Sequence, residues 1–139
     1  MSVEENKANF LRIVEELVNK GNWVLLPELI APNYVVHSTP EARGPEGFKQ
    51  MFSAFRTACP DFRAKIDHIF AEGDMVAHFE TYTGTFQKKY MGFAPTGKKF
   101  SISIATLSRF IDGKEVEAWQ YMDRLAAYQQ MGIPIPPAK

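Results

Sequence analysis

At Asp61 the spacing of apolar residues changes from three and four to two, and the shorter period holds almost to the end of the chain. Apolar residues three and four apart line one side of a helix, whereas alternation lines one face of a strand. Helices first and strands later restrict the fold to the α+β class, with one face of a sheet buried under the helices.

In the first half, Val3, Phe10, Ile13, Val14, Leu17 and Val18 form one stripe of a helix running to Lys20, and Gly21 ends it. Asn22 is placed to cap a shorter helix carrying Trp23, Leu25, Leu26, Leu29 and Ile30, which Pro32 stops. Tyr34 to His37 reads as a short extended piece, followed by a polar loop from Ser38 to Gly44. Pro45 opens a third helix whose Phe48, Met51, Phe52 and Phe55 recur at helical spacing, and Cys59-Pro60 closes it. The sequence thus predicts three N-terminal helices.

Beyond Asp61, Arg63 to Glu72 alternates Ala64, Ile66, His68 and Phe70 against Arg63, Lys65, Asp67 and Ile69. A turn at Glu72-Gly73-Asp74 leads into Met75 to Phe86. After a loop from Gln87 to Lys98, Lys99 to Ile111 turns back through Asp112-Gly113 into Glu115 to Asp123. Four long antiparallel strands in a meander are expected, with Tyr34 to His37 as a fifth, short one. A segment from Arg124 to Met131 then reads as helical and ends at Gly132.

A length of 139 residues suits one domain over 1–139, with residues 133–139 as a proline-rich tail. Sixteen basic residues balance sixteen acidic ones and no basic run stands out, which argues against nucleic acid and anionic membranes as partners. With no apolar run of membrane-spanning length and no signal peptide pattern, the chain reads as cytoplasmic. One cysteine and three scattered histidines give neither a disulfide nor metal-ligand spacing, so no metal and no cofactor are expected. Eleven Phe, five Tyr and two Trp suit either a bulky core or an apolar pocket.

Several polar residues have competing readings. Strand alternation puts Glu115, Glu117, Trp119, Tyr121 and Asp123 on one face, so Asp123 either caps the following helix or projects into a cavity as an ionisable group. On the second long strand one face carries Val76, His78, Glu80, Tyr82 and Gly84. In a dry core His78 and Glu80 would cost several kcal/mol unless paired. That face therefore meets solvent, the commoner place for charged groups, or forms a polar patch in a cavity. His37 is a structural hydrogen-bonding group or a catalyst, and His68 reads as packing or interface. The Phe48, Met51, Phe52, Phe55 stripe is core or pocket wall. Cys59 has no evident basic partner, and neither a nucleophile elbow nor a phosphate-cradling glycine loop occurs.

The chain resembles the SnoaL-like polyketide cyclases, the ester cyclase group of the cone-shaped α+β domains shared with ketosteroid isomerase and scytalone dehydratase. The resemblance rests on the order and spacing of Tyr34-Val35-Val36-His37, Gly44-Pro45-Glu46-Gly47, Cys59-Pro60-Asp61, Glu72-Gly73-Asp74-Met75-Val76 and Gly84-Thr85. It continues through Met91-Gly92-Phe93-Ala94-Pro95-Thr96-Gly97-Lys98, Asp112-Gly113-Lys114, Glu117-Ala118-Trp119, Asp123 and Gln130-Met131-Gly132. It implies a strongly bent antiparallel sheet wrapped around helices, an apolar cavity at the wide end, and a homodimer or larger homo-oligomer.

It also implies intramolecular aldol ring closure of a small, mostly apolar carbonyl compound by general acid/base catalysis without a cofactor. The family's proton-transfer residue falls on Asp123, and His37 is the candidate donor to the developing oxyanion. Tyr34, Phe52, Phe55, His78, Glu80, Trp119 and Tyr121 are the candidate substrate-binding residues. The chain departs from the family at Phe86, where many members have histidine after Gly-Thr, and at His78, where arginine is frequent. The alternatives are isomerisation, dehydration or epoxide hydrolysis on the same fold, or a non-catalytic binding or assembly domain in which Asp123 is only a cap.

Overall fold

The computed structural model describes residues 2–38 and 41–135. Helix α1 (Val3–Arg12) starts on Ser2, whose hydroxyl accepts from the Glu5 amide at 3.1 Å. It continues from Ile13 to Asn19 as wider π-helical turns that bury Ile13, Val14, Leu17 and Val18. A 3₁₀ turn (Trp23–Leu25) leads into the short α2 (Leu26–Leu29). Asn22 does not cap this segment; its amide reaches the Glu16 carboxylate at 3.3 Å. Strands β1 (Ile30–His37) and β2 (Ala42–Arg43) precede α3 (Gly44–Ala58). The meander β3 (Arg63–Glu72), β4 (Met75–Thr85), β5 (Lys99–Ile111) and β6 (Lys114–Met122) follows, then α4 (Arg124–Met131).

All six strands form one curled, unclosed sheet in the order β2-β1-β6-β5-β4-β3. The meander is antiparallel as its turns dictate, and Asp112 and Gly113 both take the positive φ that a two-residue hairpin requires. The sheet is mixed rather than purely antiparallel, because β1 joins β6 in parallel, with Val35 opposite Glu117 and His37 opposite Trp119. β1 is also longer than the expected Tyr34 to His37. Pro32 is accommodated where the ladder is irregular, between Ile30 and Val35, so it does not end the strand.

Two bulges reset which side chains face inward. Between Ile66 and His68 the extra residue is Asp67, whose carboxylate accepts from the Thr81 hydroxyl at 2.5 Å. Past it, Ile69 and Ala71 pack inward while His68 and Phe70 are exposed, so the expected common face of Ala64, Ile66, His68 and Phe70 breaks at that point. On β6 the register slips between Arg109–Glu117 and Phe110–Glu115, which makes Val116 the extra residue. Glu115 consequently turns inward, away from Glu117 and Trp119.

The core lies between the helices and the concave face of the sheet. Phe10, Ile13 and Leu17 meet Val36, Phe48, Phe52, Val76, Ile102, Ile104 and Phe110 there. Gly84 leaves room for the Phe100 ring, which a Cβ would meet at 2.9 Å. At the chain's end, Ile133 is buried and its amide bonds to the Tyr128 carbonyl, so the proline-rich segment begins inside the core; its residues 136–139 lie outside the described residues.

Candidate active site

Two spaces open along the inner side of α3. The larger is a cleft of about 900 Å³ bounded by His37 and Arg43 from the β1–β2 edge, and by Gln50, Met51, Ala54 and Phe55 from α3. Tyr90 and Met91 from the loop, Gln120, Tyr121 and Met122 from the end of β6, Arg124 from α4, and the Glu41 and Glu46 carboxylates also line it. The smaller is an inner cavity of about 30 Å³ under α1, lined by Tyr34, Phe52, His78, Glu80, Thr106 and Glu115 among others. Met51 and Gln120 line both spaces.

At the cleft, His37 stands between two carboxylates, with Nε2 2.7 Å from Glu117 and Nδ1 3.3 Å from Glu41. The Glu117 hydrogen bond, with Glu41 acting in the same direction, holds the imidazole pKa above its ordinary value. Its ring stacks on Trp119 at 5.4 Å, and the Arg109 guanidinium lies 5.9 Å from the centre of that indole. Trp119 is thereby occupied on the outer face of the sheet and does not line the cleft. Asp123 caps α4, its Oδ1 accepting from the Ala126 amide at 3.0 Å. It is exposed at the rim, between the cleft-lining Met122 and Arg124.

The inner cavity holds a polar chain within the apolar core. The Ser108 hydroxyl donates to Glu115 Oε1 at 2.8 Å, so it accepts from His78 Nε2, 3.0 Å away. His78 Nδ1 lies 2.8 Å from Glu80 Oε1 but off the line of a ring N–H bond, which makes this a close polar contact rather than a formed hydrogen bond. Phe10 stacks on the imidazole at 3.6 Å, and His78 and Glu80 are only 3% and 4% exposed. Burial pushes the Glu115 carboxyl up to about 7, opposed by the Ser108 hydroxyl and reinforced by nearby Glu80. Burial likewise raises the Tyr34 and Tyr82 hydroxyls, with Glu115 and Glu80 respectively adding to it.

Of the residues singled out in the sequence, His37, Phe55 and Tyr121 meet at the cleft, and Tyr34, Phe52, His78 and Glu80 at the inner cavity. Trp119 and Asp123 line neither space. Cys59 is buried, and burial pushes its thiol up to about 11, far from a thiolate nucleophile at neutral pH. Sequence reasoning passed over Glu115, Ser108, Thr106 and Gln120. For Ser108 and Thr106 a signal existed, since both interrupt the inward apolar series Phe100, Ile102, Ile104 and Phe110. None existed for Glu115, whose orientation depends on the bulge.

The family profile of the SnoaL-like polyketide cyclases matches residues 8–131. The chain belongs to this family. DnrD of Streptomyces peucetius, an aklanonic acid methyl ester cyclase, is 31% identical over 134 residues, covering 92% of each chain. DauD of Streptomyces sp. strain C5, also an aklanonic acid methyl ester cyclase, is 31% identical over 114 residues, covering 81% of this chain and 70% of that one. The crystal structure of IdmH from Streptomyces antibioticus superposes with a TM-score of 0.77 at 29% identity, covering 92% of this chain and 99% of the other. The cone-shaped α+β architecture and a cyclase type of enzyme are thus family properties of this SnoaL-like chain.

Proposed function

We propose that this SnoaL-like chain closes a ring in a small polyketide-type ester by an intramolecular aldol reaction, using side chains alone and no cofactor. The observation that carries the reading is the cleft of about 900 Å³, whose lining joins apolar Met51, Phe55 and Met122 to His37 and Gln120, with Asp123 at its rim. Asp123 Oδ2 takes the proton from a carbon lying between two carbonyls, which is already acidic. The resulting enolate carbon attacks a ketone carbon of the same molecule, and the alkoxide formed there recovers the proton from Asp123. His37, its pKa raised by the Glu117 hydrogen bond and by Glu41, donates toward the negative charge as it moves between oxygens. Turnover of aklanonic acid methyl ester, the compound named for the two curated relatives, by wild type and Asp123→Asn tests the reading.

A second reading, a non-catalytic ligand-binding domain, is favoured by the cap itself, because one Asp123 oxygen is committed to Ala126. Retained turnover in Asp123→Asn would select it.

Assembly as a homodimer belongs to the same proposal. Phe70, Phe79 and Leu107 are exposed on the outer side of the sheet at 63%, 48% and 37%, an apolar surface suited to a second copy. Leu107→Lys is expected to shift the sedimentation coefficient from dimer to monomer, and a wild-type monomer at micromolar concentration would refute the dimer.

A further inference from the structure

The inner cavity contains more hydrogen-bonding capacity than its own residues use. Among the described residues, Thr106 Oγ1 and His78 Nδ1 are buried atoms left without a hydrogen-bond partner. Orphaned groups of this kind carry a desolvation penalty of roughly 1–3 kcal/mol unless something meets them. The space beside them, about 30 Å³, is larger than the roughly 10–15 Å³ needed for one water, yet too small for a ring. It suits one oxygen-bearing group.

The cavity also has an entrance and a chemical preference. Met51 and Gln120 form the boundary it shares with the cleft, so a group projecting from a cleft-bound molecule reaches it by displacing one flexible thioether side chain. An anion is disfavoured, because Glu80 and Glu115 both face inward and, among the described residues that line the space, His78 is the one basic side chain. α1 and α3 contribute apolar Phe10, Ile13, Val14, Phe48 and Phe52, while β1 and β4 add the Tyr34 and Tyr82 hydroxyls. A neutral acceptor fits this composition. Glu115 Oε1 already accepts from Ser108, so the proton of the neutral carboxyl is available to point into the cavity.

We infer that the inner cavity is a binding subsite for one neutral oxygen of the substrate, a carbonyl or hydroxyl, gripped by the Glu115 carboxyl and the Thr106 hydroxyl. The Ser108–His78–Glu80 chain behind Glu115 fixes its orientation. This rests on the cleft being the substrate site, and it gives the substrate a direction: rings in the cleft, one oxygen inward past Met51.

The test is equilibrium dialysis of 2-acetylnaphthalene against 2-isopropenylnaphthalene, which replaces the carbonyl oxygen by a methylene of similar shape. At pH 6 the wild-type protein should prefer the ketone, and the preference should fall about tenfold by pH 8 as a carboxyl titrating near 7 loses its proton. Glu115→Gln keeps an N–H donor and should show a preference independent of pH. Thr106→Val should weaken ketone binding at both pH values. Equal affinity for the two probes overturns the subsite but leaves the cleft standing, and so does a pH profile that survives in Glu115→Gln. Binding of neither probe defeats the cleft and the subsite together. The cyclase chemistry is judged separately by Asp123→Asn turnover.

Discussion

Asparagine in place of Asp123 is expected to lower kcat by about 10²–10⁴-fold, the usual share of a general acid/base group, while KM and stability stay close to wild type. Asparagine is as good an N-cap as aspartate, so its side-chain oxygen keeps the Ala126 bond, now 3.0 Å, and α4 remains anchored. What it loses is proton affinity. Alanine removes both properties, and Asp123→Ala should add about 1 kcal/mol of destabilisation to the same catalytic loss. Steady-state kinetics on the ester, paired with urea midpoints for the two variants, separate cap from catalyst. An asparagine variant with wild-type turnover would leave Asp123 a cap only.

Glutamine in place of Glu115 should change how stability depends on pH. In the unfolded chain this carboxyl titrates near its ordinary 4.5, whereas in the fold it titrates at about 7. Between those values the native state holds a proton that the unfolded state has released, so wild-type stability falls as pH rises across this window and levels off above it. The difference corresponds to about 3 kcal/mol at 1.36 kcal/mol per pKa unit. Glu115→Gln, which never ionises, should match wild type near pH 4.5 and exceed it by that order at pH 8. Urea denaturation at both pH values measures this. Identical pH profiles for the two proteins would mean that Glu115 is not held neutral by its surroundings.

The sequence reveals the helix-to-strand order, the meander and its turns because periodicity and paired turn residues such as Asp112-Gly113 act locally. It also flags His78 and Glu80 as an anomaly. The preference of charged residues for solvent pointed outward, but Ser108 and Glu115 complete a chain of polar partners that lets the pair stay buried. The bulges at Asp67 and Val116 are not legible, since both are ordinary strand side chains and the extra residue exists only relative to a partner strand. One undetected residue inverted the parity of His68 and of Glu115, and with it the identity of the inner site. Asp123 illustrates a different limit: a cap and a cavity carboxylate have the same local sequence.

The parallel pairing of β1 with β6 also sets the order in which the molecule assembles. Each meander hairpin closes locally, but Val35 and Glu117 are about eighty residues apart when they pair. Closing that loop costs about 3 kcal/mol more chain entropy than closing a two-residue turn. Contacts so distant are rewarded only after the meander exists to receive them, so Val36→Ala should speed unfolding in stopped-flow mixing and leave the folding rate nearly unchanged. A slowed folding rate would place β1 in the nucleus instead. The strand that delivers His37 to the cleft is then the last to dock and the first to leave.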